Sequence, residues 1–344
     1  RDASGWEGET WRFDVAHRRL RQVADIVAGE GGRRVLDLGC STGLLGRMLG
    51  PAYDYTGIDV AASVATRDEN FRVETGSLDD WSPTTTYDVV VASGSLEYVA
   101  DLPRTLAAIR GALRDGGLAV LTLFNLAHFS RAVGSHHRHA AWTIQARPDD
   151  FALLLRQAGL EIRRCLPTTL GYGPAPAVAD ERPTEVEVDG TVMPGIERLS
   201  RLAHHLVFVC RATTPQAAPD RVDEQLLAGN VTGALHTALA QARAVPWASR
   251  AWNDLAVAWS AAGRADKARE AVLRAFVLDP SRPEVHDNID ALGLEVEVDD
   301  PETAVMVAPD NDDAWRGLVR ALGDAGHVAS AASVALLARR RRAA

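Results

Sequence analysis

One run of ten residues, RVLDLGCSTG at positions 34–43, constrains the fold of this chain more than any other stretch. Its apolar first half is typical of a buried strand, and Asp37 falls at the tip of that strand. Gly39 and Gly43 then let the backbone turn tightly and let a bulky ligand lie against it. A carboxylate at this place accepts hydrogen bonds from hydroxyl or ammonium groups but repels a pyrophosphate. The run therefore predicts an α/β fold whose ligand is a positively charged nucleoside.

The spacing of the glycines argues against a dinucleotide as that ligand. Gly39, Gly43 and Gly46 do not follow the Gly-x-Gly-x-x-Gly pattern that holds a pyrophosphate at a helix N-terminus. We therefore expect that the site does not take NAD.

Apolar runs alternate with helical periods along roughly the first 210 residues, which predicts a doubly wound, mainly parallel sheet. The run at 87–92 is almost continuously apolar, as expected for a strand that is covered on both faces. The predicted strands cover residues 35–38, 53–59, 71–74, 87–92, 118–124, 160–166 and 205–211. The predicted helices cover residues 12–29, 44–49, 102–113 and 151–158.

Beyond residue 220 the strand patterns mostly vanish, and the sequence becomes rich in alanine and leucine. A self-similar period there predicts paired helices, in which small residues allow close approach and large residues fill the groove between pairs. The copies span 252–280, 315–338 and, mainly by its second half, 229–246. Residues 283–308 break the period, because Leu294, Val296 and Val298 alternate with acidic residues as in a strand. A degraded repeat and a loop both fit this stretch.

These patterns predict two domains. The first covers residues 1–212 and includes an insertion at about 167–204, which fits either a lid over the ligand pocket or a disordered segment. A linker at 213–220 leads to an all-α helical repeat domain at 221–344.

Composition limits the partners and the compartment. The net charge of −9 argues against non-specific binding to nucleic acid or to an anionic membrane surface. Three widely spaced cysteines fit a reducing compartment better than a disulfide framework. Neither a long uncharged apolar run nor a signal-peptide pattern is visible, so we expect a cytoplasmic protein.

An ordered series of motifs in the first 210 residues resembles the class I S-adenosylmethionine-dependent methyltransferases. DLGCSTG at 37–43, GIDV at 57–60, GSLD at 76–79 and LRDGGL at 113–118 match that family's motifs in their usual order. The segment YDVVVASGSLEYV at 87–99 is similar to the small-molecule, methionine-biosynthesis-like type. The resemblance implies a Rossmann-like sheet with S-adenosyl-L-methionine as cofactor, while the C-terminal copies resemble tetratricopeptide repeats.

The same resemblance assigns a cofactor site. Asp37 would orient the amino-acid end of the cofactor, and Asp59 would accept from the ribose hydroxyls. Ser77 stands where the family usually has an acid, so either its hydroxyl or the shifted Asp79 would supply the contact to adenine. The full set of expected cofactor contacts is Asp37, Gly39, Ser41, Gly43, Asp59, Val60, Ser77, Leu78, Asp79, Ser93 and Gly94.

A hydroxyl acceptor would need a general base, and histidine suits that task near neutral pH. His139 is the first candidate, since HAAWT at 139–143 is similar to a feature of many relatives, and His128 is the second. A polar loop whose histidines face water is the alternative for each. His136, His137 and His139 have no acidic or cysteine ligand at a suggestive spacing, so we expect no metal site.

The expected function is methyl transfer to an oxygen of a small molecule, a sugar or glycan, or a natural-product intermediate. The helical repeats would bind a protein partner, support self-association or brace the first domain. Two alternatives stay open. One is methylation of a protein or carrier-bound substrate held by the repeats, for which Asn253 and Asn288 are the hint of a polar groove. The other is a non-catalytic adaptor, for which the missing acid at Ser77 is the support.

Overall fold

A computed structural model describes residues 10–61, 67–68, 70–126, 128–129, 133, 147–170, 186–187, 203–214, 222–244 and 248–343. The statements below concern these residues. Among the described helices, none has the length and apolar character that a bilayer span requires.

The N-terminal part is built on one sheet, to which the described residues contribute nine strands in the order β3-β4-β2-β1-β5-β6-β9-β7-β8. The strands are β1 (Arg34–Leu38), β2 (Asp54–Asp59), β3 (Arg67–Asp68), β4 (Phe71–Thr75), β5 (Tyr87–Ser93), β6 (Leu113–Phe124), β7 (Leu160–Leu170), β8 (Val186–Glu187) and β9 (Ala203–Ala212).

The centre of this sheet is parallel and its two ends are antiparallel. Strands β4, β2, β1, β5 and β6 pair parallel to one another. Strand β9 pairs antiparallel to both β6 and β7, and the short strands β3 and β8 are antiparallel at the edges. The predicted parallel α/β sheet is therefore confirmed for the centre, and the sheet as a whole is mixed.

Helices cover both faces of the sheet, because the strand residues that point to either face are apolar. Val35, Val89 and Val91 belong to one buried cluster, which includes residues of the first helix. Leu36 and Val90 belong to the other cluster, on the opposite face. The helices of this part are α1 (Thr10–Glu30), α2 (Leu44–Leu49), α3 (Leu102–Ala112) and α4 (Pro148–Gln157), with a 3₁₀ turn at Leu96–Tyr98.

Strands β6, β7 and β9 each extend at least three residues beyond their predicted apolar runs. Strand β6 begins at Leu113, with an irregular register against β5. Strand β7 continues to Leu170, because Pro167, Thr168 and Leu170 pair with β9. The expected insertion at 167–204 thus begins and ends within strands, and apart from β8 its residues 171–202 lie outside the described part. The domain limits themselves stay predictions.

The C-terminal part is helical throughout the residues described there. Its helices are α5 (Val222–Leu227), α6 (Val231–Ala244), α7 (Ser249–Ala261), α8 (Ala265–Leu278), α9 (Pro283–Ala291), α10 (Pro301–Val307), α11 (Asp312–Asp324) and α12 (Val328–Ala343). The three predicted copies fall on the pairs α5–α6, α7–α8 and α11–α12. Small buried residues such as Ala258 and Ala268 lie in the helices of the second pair. The paired-helix prediction is confirmed, and the likeness to tetratricopeptide repeats stays a prediction.

The stretch that broke the period contains a fourth pair of helices, α9 and α10. Pro283 and Pro301 occupy first turns, and Asp300 caps α10 by accepting from the Thr303 amide at 2.7 Å. Leu294, Val296 and Val298 lie half-buried between them in a connection without a strand. Their alternation reflects one side of an extended segment packed on the core. The stretch thus contains both a pair of helices, as a degraded repeat would, and a loop between them.

An ion-pair network joins α4 to the C-terminal helices. The buried carboxylate of Asp149 accepts from the Arg282 guanidinium at 2.7 Å and from the Arg250 amide at 3.1 Å. Arg147 pairs with Asp279, and the Arg250 side chain pairs with Asp150. Burial raises the pKa of Asp149, and the Arg282 charge opposes that rise. A continuous cluster of buried apolar side chains also runs through both parts. The two parts therefore form one packed unit.

Replacing Arg282 by methionine tests this junction. The change leaves the Asp149 carboxylate buried without its cation, so we expect the free energy of unfolding to fall by about 3 kcal/mol in urea denaturation. Arg316→Met is the matched control, since the Arg316–Asp313 pair is exposed and should contribute little. Adding Asp149→Leu to Arg282→Met should recover most of the loss, and equal losses in the single and double variants would contradict the role of the pair.

Candidate cofactor site

The loop after β1 is shaped by backbone conformations that L-residues rarely adopt. Gly39, Ser41 and Gly43 have φ angles of 82°, 49° and 70°. The Gly39 amide donates to the Ile58 carbonyl at 2.7 Å, which ties the loop to the end of β2. A Cβ atom on Gly39 would lie 2.3 Å from the Cβ of Ser95, so no side chain fits there. The predicted tight glycine turn is present.

This loop lies at the switch point of the sheet. Strand β1 has β2 on one side and β5 on the other, and in open α/β sheets a crevice for ligands forms where such connections diverge. The Ser95 hydroxyl, just after β5, donates to the Leu38 carbonyl at 2.7 Å. The structure therefore brings the ends of β1, β2 and β5 together, as the motifs predicted.

Asp59 holds the loop from the neighbouring strand. Its Oδ2 accepts from the Ser41 amide at 2.8 Å, and its Oδ1 accepts from the Ala61 amide at 2.9 Å. Each carboxylate oxygen has a further lone pair, so a ribose hydroxyl can still donate to it. Val60 beside it is 65% exposed, an apolar surface next to the polar loop.

Asp37 is buried, with only 3% of its surface exposed. The Tyr55 hydroxyl donates to its Oδ2 at 2.6 Å. The pKa of Asp37 is raised to about 7, mainly by burial and to a smaller extent by the Asp59 charge, while the Tyr55 hydrogen bond opposes the rise. A carboxylate in this setting is stabilised by any cation that reaches it.

Tyr55 is a site residue that sequence reasoning missed. Its ring stacks on Phe71, with centroids 5.0 Å apart, and a Cβ atom on Gly46 would lie 2.7 Å from both rings. The ring is thus held from two sides and keeps the hydroxyl on Asp37. Only its place in an apolar strand was visible in the sequence, and Tyr55 and Asp37 are 18 positions apart.

The expected adenine contacts lie in a turn with its own hydrogen bonds. The Ser77 hydroxyl accepts from the Asp79 amide at 3.2 Å and can still donate. The Asp79 carboxylate accepts from the Ala100 amide at 2.7 Å, which links this turn to the segment after β5. Leu78 is buried between them. The shifted acid is therefore engaged in holding the loops together, and its contact to adenine stays a prediction.

Ser93 is the last residue of β5 and Gly94 follows it, and the Arg19 side chain of α1 lies next to both residues. Arg19 Nε donates to the Ser93 hydroxyl at 3.1 Å, and Arg19 Nη1 lies 3.2 Å from His205 Nε2. Gly94 has a φ of 75°, and a Cβ atom there would lie 2.5 Å from Arg19 Nη2. Burial lowers the pKa of Arg19, and the Glu97 charge opposes this. Sequence reasoning missed Arg19, because nothing distinguishes it from the other arginines of its helix.

The two candidate bases fare differently. His128 follows β6 at the carboxyl edge, as expected, but it is buried, and its ring lies 4.1 Å from the ring of His204. The alternative of a water-facing loop is therefore wrong for His128. His139, together with His136 and His137, lies outside the described residues. The role of either histidine as a base stays a prediction.

The described part of the chain holds neither a reactive thiol nor a metal cluster. Burial raises the pKa of Cys40 and Cys165 to about 12 each, so both thiols stay protonated at neutral pH. No group of three or more potential ligands among the described residues is arranged around a common point.

Comparison with known proteins gives the same assignment for the N-terminal part. Residues 10–164 match the model of a family described as a methyltransferase domain. A ubiquinone biosynthesis O-methyltransferase of Marinobacter nauticus is 29% identical over 201 residues, which are 50% of this chain and 82% of that protein. A trans-aconitate 2-methyltransferase of a Mycobacterium species is 29% identical over 182 residues, which are 46% of this chain and 70% of that protein. These matches support a methyltransferase domain with S-adenosylmethionine as its cofactor, as predicted.

A solved structure is similar at lower identity. A possible histamine N-methyltransferase from Thermotoga maritima is 17% identical, with a TM-score of 0.44, over 59% of this chain and 91% of that chain. The fold assignment rests on the strand order and register described above.

Replacing Asp37 by asparagine tests the electrostatics of the site in the protein without ligand. The folded pKa of about 7 exceeds the ordinary value of 3.8, so the folded state holds a proton that the unfolded state has lost between these pH values. Stability from this group is therefore present below pH 4 and is lost as the pH rises through 7. In urea denaturation we expect Asp37→Asn to gain stability over wild type between pH 4 and 7, by up to about 4 kcal/mol.

Glu74→Gln is the control for this experiment, because Glu74 is exposed on β4, which β2 separates from β1. Its stability relative to wild type should not follow the same pH window. A difference between Asp37→Asn and wild type that stays constant from pH 4 to pH 8 would contradict the assignment.

Proposed function

We propose that this chain is an S-adenosylmethionine-dependent methyltransferase that methylates an oxygen of a small molecule. The observation that carries the proposal is the pair of opposite charges at the switch point. Asp37 is a buried carboxylate on β1, and Arg19 places a guanidinium at the end of β5. A zwitterionic amino-acid group matches this pair, with its ammonium toward Asp37 and its carboxylate toward Arg19.

The residues present fit the nucleoside half of the cofactor as well. Asp59 is placed to accept from ribose hydroxyls, and the exposed Val60 offers an apolar contact to a base. Gly39 and Gly43 carry no side chain, so the backbone of the β1 loop can approach a ligand closely at these positions. When bound, the cofactor supplies a methyl group activated by a sulfonium centre. The protein's own contribution is then mainly binding and orientation, since little new charge has to be stabilised.

Two relatives support a small acceptor. One is named a ubiquinone biosynthesis O-methyltransferase, a name that specifies transfer to oxygen, and the other is named a trans-aconitate 2-methyltransferase, after a small organic acid. For this chain, the acceptor class and the oxygen atom belong to the proposal. A hydroxyl acceptor would lose its proton to His139 or His128 on the segment after β6.

The two asparagines that suggested a polar groove for a polypeptide substrate do not support one. The side-chain amide of Asn288 donates to Asn253 Oδ1 at 2.9 Å, and Asn253 is buried. These two asparagines therefore bind each other within the helical part instead of lining an open polar groove.

Arg19→Gln tests the cofactor site by calorimetry with S-adenosylmethionine. We expect the dissociation constant to rise about tenfold or more, because a charge-assisted contact to the carboxylate is lost. Arg21→Gln is the matched control, since Arg21 is exposed on the same helix and should bind as wild type. Asp59→Ala should abolish tight binding. Wild-type protein that binds no S-adenosylmethionine, or that binds a nicotinamide dinucleotide in its place, would overturn the proposal and favour the adaptor.

A second experiment identifies the acceptor and tests the base. The full chain is incubated with cell extract and methyl-labelled S-adenosylmethionine, and label is expected in small molecules; label in protein would favour the alternative substrate class.

With the acceptor identified in this way, we expect His139→Gln to lower kcat by about a hundredfold and to flatten its pH profile, with S-adenosylmethionine affinity unchanged. His137→Gln is the control, and an unaltered kcat in His139→Gln would transfer the role to His128.

A further inference from the structure

Residues 125–147 connect β6 to α4, and the structure describes the start of this connection, at 125–126, 128–129 and 133, and its last residue, Arg147. It begins directly after Phe124, whose amide donates to the Glu97 carboxylate at 2.9 Å. Glu97 itself follows β5, the strand whose end lies under Arg19. Both candidate bases belong to this connection, so its conformation decides where they stand.

The start of the connection is held from two directions. On the sheet side, the ring of His128 lies against His204 of β9. On the other side, the ring of Phe129 meets Trp315 of α11 edge-on, with centroids 5.9 Å apart and planes at 74°. Phe129 is 0% exposed and Trp315 is 2% exposed, so this contact is fully buried. Adjacent residues thus contact the sheet and the C-terminal helices.

Trp315 is itself fixed by its surroundings. Its indole Nε1 donates to the Pro309 carbonyl at 2.7 Å. The guanidinium of Arg341, on α12, lies 6.0 Å from the centre of its ring and pairs with Asp312 at the start of α11. An aromatic side chain held at both its polar and its apolar end is a rigid support for a partner ring.

The C-terminal helices also hold the other end of the connection. Arg147, its last residue, pairs with Asp279 after α8, and Asp149 in the first turn of α4 pairs with Arg282. Described residues at the start and at the end of this connection therefore both contact the C-terminal helices. The start is also held on the sheet side, where the Asn125 side-chain amide donates to the Ala203 carbonyl at 2.8 Å and His128 lies against His204.

From this arrangement we infer that the C-terminal helices are a scaffold for the acceptor side of the active site. Trp315 is a positioning residue that fixes Phe129 and, through it, the start of the connection where the candidate base His128 lies. The inference rests on the proposed function, since it assigns this connection to the acceptor. It gives the helical part an intramolecular task that needs no second protein.

Hydrogen exchange of the full chain, read together with calorimetry, tests the inference. In Trp315→Ala we expect amides of residues 125–133 to exchange about tenfold faster or more, because the opening of this segment loses a buried contact. The peptides over β1 and β2 should exchange as in wild type, and the dissociation constant for S-adenosylmethionine should stay within about twofold. Trp315→Phe keeps a ring against Phe129 and should restore most of the protection.

Trp259→Ala is the matched control, because Trp259 lies on α7 and its ring is flanked by Lys267 instead of Phe129. It should leave residues 125–133 protected. Unchanged exchange in Trp315→Ala, or equal loosening by Trp259→Ala, would overturn the inference. Should Trp315→Ala not fold, the same comparison can be made between Phe129→Leu, which loses the ring contact, and Trp315→Phe, which keeps it. Equal exchange protection of residues 125–129 in these two variants would contradict the role of the ring contact. A wild-type protein that fails to bind S-adenosylmethionine would instead refute the proposed function, so the two failures are distinguishable.

Discussion

A carboxylate buried in the central strand is the constraint on which the rest of this site depends. Asp37 can stay in the sheet because the Tyr55 hydroxyl satisfies one of its oxygens, and Tyr55 keeps its place because Phe71 and Gly46 pack on its ring. Burial, with the nearby Asp59 charge, raises the pKa of this carboxyl group in the protein alone. A cationic group that reached Asp37 would stabilise its ionised form, and the glycine turn and Asp59 lie at the same end of the sheet.

Local patterns were sufficient to predict the parallel centre of the sheet and the loop after β1. Continuous apolar runs and glycines with positive φ are properties of neighbouring residues, so they are legible in the sequence. The roles of Arg19 and Tyr55 could not be predicted from the sequence, because they come from contacts with Ser93 and Asp37, which lie 74 and 18 positions away. The full length of β7 and the helices at 283–307 likewise depend on antiparallel pairing and on packing, which no local period records.

The helical part adds a second layer of support around the same edge of the sheet. Its contacts lie where the loop from β6 begins and where α4 begins. Under the proposed function, β1, β2 and β5 hold the nucleoside, and the helical part supports the side that receives the methyl acceptor. A division of this kind lets the acceptor side vary without disturbing the turn that holds the cofactor.

The buried pair of Asp149 and Arg282 has an evolutionary consequence. Each residue belongs to a different part of the chain, and either one alone would be a buried charge without its nearest partner. Recombination that exchanged one part for a homologous one would therefore have to carry both residues or replace both. The composition changes near residues 213–220, between the two parts of the chain. The two members of the buried pair nevertheless have to be inherited together.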